Sequence, residues 1–201
     1  MWKVLFGCGI VWGINYHPIL DGNHGEEEMD KEEIEAKKEE VKERIEAFLT
    51  EHDWKYDFDE EHWVIISGVT LKNYVSSVQY AISIKDSHVI NYAVLPISAK
   101  KHFKRLAEFL CRANYGLIFG NFEFDYRDGE IRYKLEMTSD AILADDMNIG
   151  LLIYKPALMV DKYIKGIVQV MTGAMKAPEA IALCEQDTED DTDDSPNEEE
   201  E

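Results

Sequence analysis

The sequence predicts an α+β fold, an antiparallel sheet of about five strands with helices packed on it, in the order α-β-β-β-α-β-β-α. Three observations predict it. Asp128-Gly129 lies between two alternating apolar and polar runs, a strong short-range hairpin signal. The chain from His62 to Leu95 is rich in Val, Ile and Tyr and is broken at turn-forming residues. On either side of that stretch, apolar residues recur at helical spacing behind helix-start residues.

The first helix is predicted over about Lys31–Thr50. Asp30 is its N-cap, and Glu33 three residues on completes a capping box. Met29 and Ile34 stand at the two positions of a hydrophobic staple. Ile34, Val41, Ile45, Phe48 and Leu49 make one narrow apolar stripe. Glu33 with Lys37, and Glu40 with Arg44, are expected i,i+4 pairs. The surplus of Glu is most simply a solvated face.

Strands follow. Trp54–Phe58 is a short candidate. His62–Thr70 carries Trp, Val and Ile on both faces, as a central or doubly covered strand does. In Tyr74–Lys85, the residues Tyr74, Val78, Tyr80, Ile82 and Ile84 share a face. Val89–Leu95 puts Ile90, Tyr92 and Val94 on one side, and Pro96 is expected to stop it.

Ser98 is expected to cap a second helix running to about Asn114, with Phe103, Leu106, Ala107, Leu110 and Ala113 facing the core and Gly116 just beyond its end. Lys100, Lys101, Lys104 and Arg105 fall together on the opposite side. Their plain reading is a solvated helix face. The sharper reading is a docking site for an acidic partner or for the chain's own tail.

The hairpin Phe119–Met137 comes next. A two-residue type I′ loop at Asp128-Gly129 would set Tyr126 opposite Ile131, Phe124 opposite Tyr133, Phe122 opposite Leu135 and Gly120 opposite Met137. On the other face Arg127 would meet Glu130, Asp125 would meet Arg132, and Glu123 would meet Lys134. A one-residue slip would destroy both patterns.

Asp145–Thr172 reads as helical, with a kink or break expected near Tyr154–Pro156, because proline lacks the amide donor and crowds the preceding turn. Gly173 ends it. Pro178 begins a short last helix to about Cys184.

The organisation follows. Residues 29–184 form the domain. Residues 1–28 read as a poorly ordered arm, or as an extension ahead of a start at Met29. Val4–Ile14 is apolar, but a secretory signal would need a stronger positive start and a small-residue cleavage site. Residues 185–201 carry 11 acidic side chains, no Lys or Arg, and no aliphatic or aromatic residue, so an acidic disordered tail is expected.

The net charge of −20 sits largely in that tail and in Glu26–Glu51, which holds 12 acidic and 5 basic residues. The middle is nearly neutral. A nucleic-acid partner would need a net basic footprint, which the chain lacks. No apolar run approaches a membrane span. Cys8, Cys111 and Cys184 are odd in number and far apart, as free thiols of a reducing cytoplasm are. Catalytic and cofactor motifs are missing: there is no phosphate loop, nucleophile elbow or His-Glu-x-x-His. Asp125–Glu130 has the wrong ligand spacing for a calcium loop. The expectation is a non-enzyme without cofactor or metal.

The segment Leu110–Met137 resembles the bacterial YbjN-domain family. It reads Cys-Arg-Ala-Asn-Tyr-Gly-Leu-Ile-Phe-Gly-Asn-Phe-Glu-Phe-Asp, then Asp-Gly-Glu-Ile-Arg-Tyr. The likeness covers about Lys31–Cys184 and is most specific over Gly120–Tyr133; Pro156 departs from the pattern. The resemblance implies a fold like that of type III secretion chaperones, often dimeric, which bind extended segments of client proteins. It also implies a role as a sensory-transduction regulator, with no catalytic residue to carry over. The expected function is therefore a cytoplasmic protein-interaction or chaperone-like module, with the long last helix available to pair two subunits. The first alternative is a charge-based regulator using the acidic tail; the second, ranked below it, is an enzyme of unknown reaction.

Overall fold

The computed structural model describes residues 30–71 and 77–186. Expectations for residues 1–28, the Met29 staple position, the start of the strand at Tyr74 and the tail from 187 lie outside them.

The architecture is α+β, as expected, with six strands rather than about five. Helix α1 (Lys31–Glu51) leads into strands β1 (Tyr56–Asp59), β2 (Val64–Thr70), β3 (Ser77–Ile84) and β4 (His88–Ser98). Helix α2 (Phe103–Tyr115) precedes the hairpin of β5 (Asn121–Phe124) and β6 (Glu130–Thr138). Helices α3 (Ser139–Ala144), α4 (Asp146–Thr172) and α5 (Ala177–Glu185) close the domain. Every pairing is antiparallel, and the spatial order is β1-β2-β3-β4-β6-β5. The short Trp54–Phe58 candidate is thus a true strand, displaced to Tyr56–Asp59, and it forms one edge of the sheet.

Helix α1 begins as its sequence dictates. Asp30 accepts from the Glu32 amide, and Glu33 accepts from the Asp30 amide. The two expected i,i+4 pairs are replaced by longer reaches. Lys37 pairs with Asp140 on α3 at 2.7 Å, and Arg44 pairs with Asp146 at the start of α4 at 2.9 Å. Val41, Ile45, Phe48 and Leu49 are buried in the main core.

One face of the sheet carries the main core. Ile65, Val69, Val78, Tyr80, Ile82, Val89, Ala93, Leu95, Ile131, Tyr133 and Leu135 meet Leu106, Phe109 and Leu110 of α2 and the apolar side of α4. On the other face a smaller cluster forms from strand residues, Ala81, Ile90 and Tyr92 with Val64 and Val94. Arg132 lies over the Tyr92 ring at 4.3 Å from its centre.

Strand β4 runs through Pro96 to Ser98. Its pairing with β6 is regular from His88 to Val94 and resumes at Ser98 opposite Glu130, with a register shift between. The amide position of Pro96 faces β3, whose pairing with β4 ends at Gln79 opposite Val94, so no ladder donor is lost there. Ser98 is consequently strand, not cap. Helix α2 starts four residues later than expected, behind His102, which has φ 62° and no side-chain capping bond.

The hairpin keeps its faces and changes its partners. Phe122 opposes Tyr133, Glu123 opposes Arg132 and Phe124 opposes Ile131. Asp125 donates its amide to the Glu130 carbonyl, so the loop holds four residues, not two. Gly129 takes the positive φ of 83°; Asp128 does not. Two residues of displacement preserve side-chain parity, which is why alternation did not fix the register. Glu123 now meets Arg132 at 2.7 Å, and Asp125 meets Arg127 within the loop. A Cβ on Gly129 would sit 2.0 Å from the Ala99 carbonyl oxygen, because the loop backs onto the chain leaving β4.

Helix α4 continues through Pro156 without the expected break. Asn91 from β4 donates Nδ2 to the Leu152 carbonyl at 2.9 Å, and the Tyr80 hydroxyl donates to the Ile153 carbonyl at 2.8 Å. Buried donors from the sheet thus serve the turn that Pro156 disturbs.

Candidate functional site

The two ends of the sheet differ. At the β5 end the ladder to β6 uses Asn121, Glu123 and Asp125, so the peptide groups of Phe122 and Phe124 point outward. Asn114, in the last turn of α2, takes the first of these. Its Oδ1 accepts from the Phe122 amide at 2.7 Å, and its Nδ2 donates to the Phe122 carbonyl at 2.9 Å. A side-chain amide has the donor and acceptor spacing of a peptide unit, so Asn114 stands where a further strand would pair. This edge is blocked at its centre.

At the β1 end nothing comparable is found among the described residues. Ile84 donates its amide to the Trp63 carbonyl at 2.9 Å, which sets the phase: odd-numbered residues of β2 bond to β3, even-numbered ones to β1. The Tyr56 and Phe58 peptide groups therefore point away from the sheet. The side chains around them are acidic, with Asp57 and Asp59 on the strand and Glu60 and Glu61 in the turn. Asp59 accepts from His62 at 2.9 Å, and this hydrogen bond holds its carboxyl below the usual carboxylate range.

The four basic residues singled out in the sequence remain together, but not on one helix face. Lys100 and Lys101 lie in the link from β4 to α2, and Lys104 and Arg105 lie in the first turn of α2; all four are exposed. With His102 and Phe103 they line a shallow depression of about 420 Å³. Phe103 is fixed beneath them by edge-to-face contacts with Phe124 and Tyr126, at 5.2 and 5.7 Å.

The loop between α2 and β5 is not among the sites expected from the sequence. Tyr115 and Ile118 are 96% and 90% exposed, and Phe119 is also exposed. The Tyr133 hydroxyl donates to the Phe119 carbonyl and anchors the loop while its side chains face outward. The available signal was an apolar triplet, Leu117–Phe119, fenced by Gly116 and Gly120.

Among the described residues no three His, Cys, Asp or Glu side chains gather as metal ligands, and no helix is long and apolar enough to cross a membrane. Cys111 is exposed and Cys184 is buried. What the surface presents is a pairing edge, a basic patch and an apolar loop.

The family model for YbjN, described as "Putative bacterial sensory transduction regulator", matches residues 42–165. That span runs from within α1, through the whole sheet and α2, into α4. No curated protein and no solved structure matches the chain.

Proposed function

The chain belongs to the YbjN family, and from that premise we propose that it is a non-enzymatic, regulatory protein-interaction module that takes an extended segment of a partner protein at the β1 edge. The observation that carries this reading is the difference between the two sheet edges. Asn114 closes β5 at Phe122, whereas the outward peptide groups of Tyr56 and Phe58 have no strand beside them among the described residues. An unpaired strand edge is a template for main-chain hydrogen bonding to a partner. Asp57, Asp59, Glu60 and Glu61 surround it, so the segment that fits is neutral or basic. The description of the family as a regulator supports the regulatory part of the reading. In this reading the protein works in the cytoplasm and needs no cofactor.

Amide hydrogen exchange on the complex with a captured partner tests it. The Tyr56 and Phe58 amides are expected to exchange more slowly in the complex than in the free chain. Tyr56→Pro, which removes an outward donor at the first residue of an edge strand, is expected to weaken capture by roughly twofold to tenfold. Partner-induced protection confined to other surfaces would refute the reading. Protection that rises with the concentration of the chain alone would instead identify a second copy on the edge, and hence a dimer through a continuous sheet.

A further inference from the structure

Lys100, Lys101, Lys104 and Arg105 form no ion pair among the described residues, although acidic side chains outnumber basic ones 41 to 21 in this chain. Several cations elsewhere are matched. Arg44 meets Asp146, Arg112 meets Glu108, and Arg132 meets Glu123. Along the hairpin, Asp125 is engaged with Arg127 and Glu130 with Arg132, and Asp128 accepts from the Glu130 amide without an ion pair of its own. Among the described residues, four adjacent cations without ion pairs, against the single unpaired acid Asp128, therefore leave a net positive potential there. The first turn of α2 adds to it. That turn holds no acidic residue, whereas each of the other four helices has one there.

The chain itself supplies a matching ligand. Residues 187–201 contain ten Asp or Glu, no Lys or Arg and no aliphatic or aromatic side chain. They follow directly on α5, whose Cys184 lies beside Phe109 of α2; both side chains crowd the position a Cβ on Gly166 would take. From Phe109 back to Lys104 is about 7.5 Å along the helix axis. Fifteen residues of extended chain reach roughly 50 Å. The segment thus leaves the domain within easy reach of the patch.

We propose that the cluster Lys100, Lys101, Lys104 and Arg105 is a docking surface for an acidic peptide, occupied in cis by the chain's own residues 187–201. Contacts between exposed charges are individually weak and screened by salt. The covalent connection compensates, because an intramolecular contact over a short span of chain has an effective concentration in the millimolar range. Docking is consequently a salt-dependent equilibrium, and an acidic segment of another protein would compete for the same cations.

The test uses the full chain and a full-length version in which the ten carboxylates of 187–201 are changed to amides. A fluorescent peptide of sequence 187–201 is the probe, read by anisotropy. It is expected to bind the amide version at least about fivefold more tightly than the native chain, and the binding should weaken as salt rises. In the amide version Arg105→Glu is expected to weaken binding about threefold or more, while Lys31→Glu, an equal change of charge at the exposed start of α1, leaves it nearly unchanged. Equal binding to the native and amide chains would overturn the proposal, as would equal effects of Arg105→Glu and Lys31→Glu. Neither readout involves the β1 edge, so the result is independent of the partner reading.

Discussion

Asn91 Nδ2 lies 2.9 Å from the carbonyl oxygen of Leu152, the oxygen that Pro156 leaves without its helical donor. The residue four positions after Leu152 is the proline, which has no amide hydrogen. Asn91 is fully buried on β4 and Leu152 is fully buried on α4, so water cannot serve that oxygen. The contact satisfies a buried acceptor and fixes where α4 rests on the sheet.

Asn91→Leu is expected to destabilise the fold by about 1–3 kcal/mol, since it strands the Leu152 carbonyl in an apolar setting. Pro156→Ala restores an amide at the position that bonds Leu152 in a regular helix. In the Asn91→Leu background it should therefore recover much of the loss. Denaturant melts of the four chains of this cycle check the coupling. Strictly additive effects would mean that the two residues do not share the carbonyl.

Asn114 offers a parallel case at the sheet edge. Asn114→Leu removes both bonds to Phe122 and leaves its peptide group without a partner. The expected results are faster exchange of the Phe122 amide, a loss of about 1–3 kcal/mol, and concentration-dependent self-association through the exposed β5 edge. Hydrogen exchange and light scattering read these separately. An unchanged Phe122 amide would show that the plug does not protect the edge.

Both relationships mark how far the sequence is legible. The capping box of Asp30 and Glu33 spans four residues and was readable in full. The faces of the hairpin were readable from alternation, but its partners were not, because a two-residue displacement keeps every side chain on its face. Pro156 follows a local rule that Asn91, 61 residues from the carbonyl of Leu152 that it serves, overrides. Ser98 has the chemistry of a cap, yet the sheet claims it, and Lys100 and Lys101 are displaced from the helix as a result. For the candidate site, the basic residues stood out against an acidic background. The open edge at β1 did not, because edge status depends on the order of strands in space.

The ion pair of Asp125 with Arg127 gives a pH prediction. The Arg127 guanidinium, with the Arg127 amide, holds the Asp125 carboxyl down at about 2. A carboxyl depressed in the folded state stabilises it above the ordinary value near 3.9 and loses that contribution as pH falls through about 2. Arg127→Ala is expected to move the Asp125 titration up toward the ordinary range, short of it because the amide bond remains. Carboxyl-carbon NMR follows the titration directly. A midpoint still near 2 in the variant would rule out the guanidinium as the cause.

The two described cysteines should separate sharply in reactivity. Cys111 is exposed on α2, whereas Cys184 is packed between α4 and α5, and burial pushes its thiol above the ordinary range. Its Sγ also donates to the Tyr163 carbonyl at 3.8 Å. At neutral pH, iodoacetamide is expected to modify Cys111 readily and Cys184 only when α5 lifts away. The rate at Cys184 then reports the opening of α5. The Tyr163 hydroxyl donates to Glu185 at 2.9 Å and helps to hold the helix end, so Tyr163→Phe should accelerate modification of Cys184 without altering Cys111. Peptide mapping by mass spectrometry resolves the two sites. Equal rates at both cysteines in the native chain would contradict the docked position of α5.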